Sequence, residues 1–406
     1  MRGLLGLLLM LLTASCPSWA QGATEVLRRE LKAQGNPEYQ DNRVTLLPSA
    51  REKYDHMFRR IAQARRYVHL EYFKWMNDSS GRCLMNILGE RVKQGVEVRV
   101  LIDDFTNRRS KWPWTARDAD SLRNVGIRMV FFDRFRFPWV NRVSRDHHKI
   151  VVVDGEWAYT GGMNVGDYYL TGTDRTGTWR DMHMALEGPV VDEFERIFAD
   201  VWKRQTGETL DSLRYHAAPR TGGKSVIAVV NRERGRLSKR MREAFVAALD
   251  AAQHEVRIVN PYVTNVRSVR KAMRRALKRG VRLRIMVSHK MDVSITPELM
   301  AVEMKKLMQR GCEVYYYQGG FHHSKVMTID GVLCTVGTAN LDGRSLLFDY
   351  EVNAFVFDPQ VTAELDAIFD KDLEESVLLT ADNFNTLFDL GQRIVGRVLR
   401  PTHTLF

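Results

Sequence analysis

Two His-x-Lys-x4-Asp runs, His147 to Asp154 and His323 to Asp330, divide the chain into two copies of one design. The first run continues through Asp154-Gly155 to Gly161-Gly162-Met163-Asn164, and the second through Asp330-Gly331 to Gly337-Thr338-Ala339-Asn340. His, Lys, Asp and Asn keep the same relative offsets in both, so chance matching of one short pattern is not the explanation. The surroundings repeat too. A helix-like stretch leads into Tyr67–Phe73 in the first half and into Val256–Tyr262 in the second. Gly95 closes a helix before the alternating run 96–102, and Gly280 does so before 281–287; glycine in that place marks a helix-to-strand boundary. Gly95 and Gly280 stand 185 residues apart, as do Gly126 and Gly311. His147 and His323 are 176 apart, so the first half carries about nine extra residues just ahead of its motif. Helices alternating with strands predict an α/β fold built as two tandem repeats, each a sheet flanked by helices. The first repeat is expected over 21–216, a Pro/Gly/Thr-rich linker over 217–224 and the second repeat over 225–382.

His147 and Lys149 are two apart on a strand and project from one face, as do His323 and Lys325. Each half therefore delivers an imidazole beside an ammonium. Two imidazoles suit phosphodiester exchange: one attacks phosphorus, and the other protonates the leaving alkoxide and then deprotonates the incoming alcohol. Lys149, Lys325, Asn164 and Asn340 would bind the phosphoryl oxygens. With cationic side chains neutralising charge, neither metal nor cofactor is expected. Asp154 and Asp330 are carried with the catalytic set as motif members, although an Asp-Gly pair after a buried strand more readily shapes a turn. His148 and His322 fall on the opposite strand face and are kept out of the site.

These residues resemble the HKD motifs of the phospholipase D superfamily. The resemblance implies two mixed sheets packed about a pseudo-twofold axis, both motifs meeting in one cleft, and a phosphohistidine intermediate. It makes His147 the nucleophile and His323 the general acid/base. It also implies a carboxylate downstream of each motif that holds that motif's histidine at Nδ1–H; Asp181 and Glu351 occupy the matching positions. The resemblance tightens to bacterial cardiolipin synthases across most of residues 45–380, on Gly161-Gly-Met-Asn-Val-Gly-Asp-Tyr-Tyr-Leu170 and Gly337-Thr-Ala-Asn-Leu-Asp-Gly-Arg-Ser-Leu346. Those enzymes move a phosphatidyl group onto phosphatidylglycerol and release glycerol. Gly162 and Thr338 stand where a serine is common. The rival readings are a hydrolytic phospholipase D, a secreted nuclease of the same superfamily and a binding module that has lost catalysis.

The ends and the charge bear on where the chain works. Arg2, the apolar run Leu4–Leu12 and Ser18-Trp19-Ala20 read as a secretory signal over 1–20, with an uncleaved anchor as the alternative. An extracytoplasmic, membrane-associated protein is expected, acting as a monomer or weak dimer. The formal net charge of +12 favours polyanions, either anionic phospholipid or nucleic acid. Two patterns favour lipid and make nucleic acid the weaker expectation. Phe131-Phe-Asp-Arg-Phe-Arg-Phe-Pro-Trp-Val-Asn-Arg142 interleaves rings with arginines, and Arg108-Arg109-Ser-Lys111-Trp112-Pro-Trp114 repeats that composition. A basic stripe is read from Arg267, Arg270, Lys271, Arg274, Arg275, Lys278, Arg279 and Arg282, opposite Val269, Met273 and Ala276. The tail 383–406 is amphipathic and can either lie on a membrane or pack on the body. Cys83, Cys312 and Cys334 have no metal-site spacing, and buried free thiols are expected.

Overall fold

The computed structural model describes residues 18–133, 144–215, 222–264, 266–293 and 296–399. The apolar run Leu4–Leu12, linker residues 217–221, and Phe135, Phe137 and Trp139 lie outside the described residues.

The β-branched and aromatic runs pair into one 15-stranded sheet. From its outer edge, the first half contributes Ile127–Phe132, Glu97–Asp103, Tyr67–Tyr72, Lys149–Val153, Trp157–Gly161, His183–Glu187 and Glu38–Leu47. The second half then continues with Ser225–Arg232, Glu351–Phe357, Leu333–Gly337, Val326–Ile329, Glu255–Val259, Arg282–Ser288, Glu313–Tyr317 and an added edge strand, Ser376–Leu378. Apart from that edge, the order is the same read outward from the seam in either direction. The seam strands Glu38–Leu47 and Ser225–Arg232 are antiparallel, the relation a twofold axis imposes. In each half the strands ahead of the motif pair in parallel and the motif strand joins them antiparallel.

Val190–Thr206 and Pro359–Leu373 are equivalent helices on a core that runs through both halves. The first buries Phe194, Ile197, Phe198, Val201 and Trp202 completely. Each such side chain stabilises the fold by about 2 kcal/mol. Helix Ser18–Ala33 belongs to the first repeat by sequence but packs on the second: Leu27 and Leu31 join the cluster of Met241 and Phe245. The expected cleavage point after Ala20 falls three residues into this helix. Cys312 and Cys334 are buried free thiols, whereas Cys83 is exposed.

Three surface expectations change in detail. Phe131 and Phe132, the start of the aromatic–arginine segment, are core residues. The basic stripe is thinner than its sequence, because much of it is neutralised by neighbouring elements. Arg275 pairs with Asp250 at 2.6 Å, Arg270 faces Glu303 at 3.6 Å, and Arg279 donates to the carbonyls of Leu249 and Ala252. Arg282 is not on helix Arg267–Lys278 at all; it begins the next strand and pairs with Glu313. Arg267, Lys271 and Lys278 are exposed. The tail packs on the body through one face. Phe384 and Phe388 are buried, and Gly396 lets helix Leu390–Leu399 touch helix Thr296–Met308, where a Cβ would lie 2.1 Å from the Glu298 carbonyl oxygen. Its other face leaves Leu390, Ile394, Val395 and Val398 exposed. Among the described residues, no helix is long and apolar enough to cross a membrane.

Candidate active site

Each motif enters its strand by docking on the other half. Asp146 bridges Tyr350 in parallel, and His147 N–H donates to the Tyr350 carbonyl at 3.0 Å. Likewise Phe321–His322 pairs in parallel with Trp179–Arg180, and His323 N–H donates to the Arg180 carbonyl at 2.6 Å. The residue after each acceptor is the carboxylate. His147 Nδ1 therefore lies 2.8 Å from Glu351, and His323 Nδ1 lies 2.7 Å from Asp181. This corrects the expectation that each carboxylate serves the histidine of its own motif: the pairs are exchanged between halves. The physical reason is the twofold seam, which brings the end of one half's carboxylate strand against the start of the other half's motif.

Both histidines line one cleft of about 540 Å³, with Asn164 and Asn340 also on its wall. Lys149 and Lys325 are buried beneath, each donating from Nζ to its own motif's histidine carbonyl, Lys149 at 2.9 Å. Burial pulls them down to about 7 and about 8 respectively, so their charge is held only by the surrounding carboxylates, Glu351 and Asp181 among them. Asp154 and Asp330, carried above with the catalytic set, stand at the far ends of the motif strands. Both adopt positive φ. Asp154 accepts from the backbone N–H groups of Arg65, Arg66 and Tyr67, and Asp330 from those of Gln253, His254 and Glu255. They fasten a turn to the neighbouring strand and reach no cleft atom. His148 and His322 point away, to Glu71 at 2.8 Å and to Asp372 at 3.0 Å.

The two imidazole–carboxylate pairs are electrostatically unequal. Burial, then Lys149, Lys325, His323 and Arg344, holds His147 well below the ordinary imidazole range, and burial pushes Glu351 up to about 7. Burial also lowers His323, with Lys325 adding to it, but Asp181 opposes that shift. Asp181 itself is held below the usual carboxylate range, because His323 and Lys325 outweigh its burial. The first pair favours a neutral imidazole. In the second, the ionised carboxylate works against that shift and supports the imidazolium when it forms. Their surroundings differ in the same way at the two non-serine positions. The Thr338 hydroxyl donates to Glu351. At Gly162 a Cβ would strike the Asp181 carboxylate at 2.1 Å, and the Tyr169 hydroxyl serves Asp181 instead at 3.3 Å.

Several contributors escaped sequence reasoning. Lys53 is completely buried, and its Nζ donates to the carbonyls of Met163 and Asn164 at 2.9 and 3.1 Å, fixing the loop that presents Asn164. Its place on the Met57–Ile61 face of helix Ala50–Ala62 was a legible signal, since a lysine on an apolar stripe needs buried acceptors. Phe73 sets its ring against His147 at 4.5 Å, and Trp179 lies 5.3 Å from His323. Glu71, Asp146 and His148 form a buried cluster behind His147, the grouping among the described residues whose ligand atoms lie close enough to share a cation. His148 Nδ1 is 2.8 Å from Glu71 there, and Asp146 N–H donates to Asp103, so the cluster anchors the segment that carries His147.

A duplicated α/β chain that assembles one composite His/Lys site across its seam has the architecture of the phospholipase D class. The family model described as "Cardiolipin synthase, PLD-like domain" matches residues 57–202 and 245–373, one segment in each repeat. Probable cardiolipin synthase YwiE of Bacillus subtilis is 33% identical over 344 residues, covering 84% of this chain and 68% of that protein. A cardiolipin synthase of Staphylococcus aureus is 32% identical over 346 residues, covering 84% and 69%. Among solved structures, phosphatidylserine synthase of Haemophilus influenzae shares the fold with a TM-score of 0.69 at 15% identity, over 92% of this chain and 96% of that one. The chain belongs to the cardiolipin synthase family of phospholipase-D-like proteins.

Proposed function

We propose that the protein is a phosphatidyltransferase of the cardiolipin synthase type, and that the exchanged, unequal histidine pairs divide the labour. Neutral His147 attacks the phosphorus of phosphatidylglycerol and forms a phosphohistidine, while protonated His323 gives its proton to the departing glycerol oxygen. Glycerol leaves. The hydroxyl of a second phosphatidylglycerol then loses its proton to His323, attacks the phosphohistidine and restores both side chains with cardiolipin as product. Lys149, Lys325, Asn164 and Asn340 stabilise the equatorial oxygens. The observation that carries this reading is two imidazoles lining one cleft, each held at Nδ1 by a carboxylate of the other half. Incubation of the purified protein with phosphatidylglycerol vesicles, followed by mass analysis, is expected to give cardiolipin and glycerol. Phosphatidic acid as the dominant product would make it a hydrolase, and cleavage of single-stranded DNA with no lipid product would make it a nuclease.

A lipid substrate implies work at a bilayer, and its extracytoplasmic face is part of the same proposal. Helix Leu390–Leu399 is the docking element we assign. It carries Arg393 and Arg397 beside its exposed apolar face, and it rests on helix Thr296–Met308, whose first residue lines the cleft. Inserting a Leu-sized side chain is worth about 2 kcal/mol. Replacing Leu390, Ile394 and Val398 with Ser is expected to reduce cosedimentation with anionic vesicles by at least tenfold, leaving the slope against salt unaltered. Binding as tight as that of the parent protein would remove this helix from the interface.

A further inference from the structure

We propose that Arg109, Arg145 and Arg344 form a second anion subsite on the His147 side of the cleft, and that it holds the phosphodiester of the lipid acceptor. This rests on the phosphatidyltransferase reading and says how such an enzyme selects its acceptor. All three arginines line the same cleft as the two histidines. They are built into one wall rather than scattered. Phe105 carries two of them on its ring, Arg109 at 4.5 Å and Arg145 at 5.5 Å. Asp349 joins the other end of the wall: it accepts the Arg145 backbone N–H at 2.9 Å and pairs with Arg344 at 2.9 Å. Asp103 lies 3.7 Å from Arg145 on the far side. These contacts align guanidinium groups whose planar forks suit phosphodiester oxygens. Arg109 is exposed and makes no ion pair among the described residues.

The His323 side is mixed in sign, with Lys74 beside Asp292. Asp292 lines the cleft and accepts the Tyr262 hydroxyl, and its charge weighs on His323. Arg344, by contrast, is close enough to weigh on His147. An acceptor that is itself a monoanion is therefore drawn to the arginine wall. The reaction requires such a place. In the step that forms product, one phosphorus sits on His147, and the acceptor's own phosphodiester lies a glycerol bridge away. The cleft, at about 540 Å³, lies within the ordinary range for ligand pockets. Water or a plain alcohol has no second phosphate and gains nothing from this wall.

The test is a competition. Labelled phosphatidylglycerol is the donor, and transfer to unlabelled phosphatidylglycerol, giving cardiolipin, is compared with transfer to added ethanol, giving phosphatidylethanol, in detergent-dispersed substrate. Arg109→Gln is expected to lower the ratio of the two rates by about tenfold, Arg109→Lys to restore part of it, and Arg344→Gln to lower it at least as far. A ratio unchanged in Arg109→Gln and Arg344→Gln, with the parent protein transferring to both acceptors, would overturn the subsite while leaving the transferase reading intact. A parent protein that transfers to neither would overturn that reading and the subsite with it.

Discussion

His147→Ala is expected to lose the phosphoenzyme altogether and to lower transfer about 10⁴-fold, the scale on which removal of one member of a nucleophile–base set acts. The expectation follows from its chemistry. Without the imidazole nothing in the cleft can hold the phosphatidyl group between donor and acceptor, and a direct exchange between two bulky lipid monoanions must bring both together at phosphorus. His323→Ala removes a proton carrier rather than the nucleophile. It should slow both formation and resolution of the phosphohistidine by about 10² to 10⁴. A short incubation with labelled phosphatidylglycerol, alkaline quench and peptide mapping distinguishes the two: label on a His147 peptide in the parent and, more slowly, in His323→Ala, but none in His147→Ala. Label on a His323 peptide would reverse the roles. His148→Ala and His322→Ala should be mild in rate, since neither lines the cleft. They should cost about 1 to 3 kcal/mol in stability by leaving Glu71 or Asp372 without its imidazole.

The sequence located the parts of this site more completely than their partnership. Equal offsets gave the histidines, lysines and asparagines, and the 185-residue registers gave the repeat. Offsets measure position within a half; Asp181 and Glu351 came from the family resemblance, which assigned each to its own motif's histidine, and no offset could reveal which histidine each serves. That depends on the seam, where Asp146 meets Tyr350 and His322 meets Arg180, and no periodicity encodes a contact of this kind. The same limit explains the basic stripe. Helical spacing placed Arg270 and Arg275 on one face, but only the packing of neighbouring elements supplied Glu303 and Asp250 to meet them. Helix Ser18–Ala33 crosses to the second half for a related reason: its amphipathic pattern demands an apolar partner without naming one.

The exchange of carboxylates makes the sharpest prediction, because it assigns each acid to the histidine of the other half. Asp181→Asn should behave as a milder His323→Ala, with phosphohistidine still forming on His147, slowly, and decaying slowly. Glu351→Gln should behave as a milder His147→Ala, with little phosphohistidine at any time. Loss of a histidine-orienting carboxylate costs up to about 10⁴-fold where the tautomer is misset. The pH profiles should separate them as well. Asp181 is held below the ordinary carboxylate range and is ionised throughout the working range, so it favours protonated His323. Removing that charge lowers the imidazole's affinity for its proton. The protonated acid is then lost at a lower pH, and the alkaline limb of kcat/KM moves down in Asp181→Asn. Glu351→Gln does not act on the acid and should leave that limb in place. Measuring kcat/KM across pH for both variants, with the phosphoenzyme trapped in each, decides the pairing. If Asp181→Asn instead abolished the phosphohistidine while Glu351→Gln moved the alkaline limb, each carboxylate would serve the motif of its own half in the working enzyme, and the contacts of 2.7 Å to His323 and 2.8 Å to His147 would not be the functional ones.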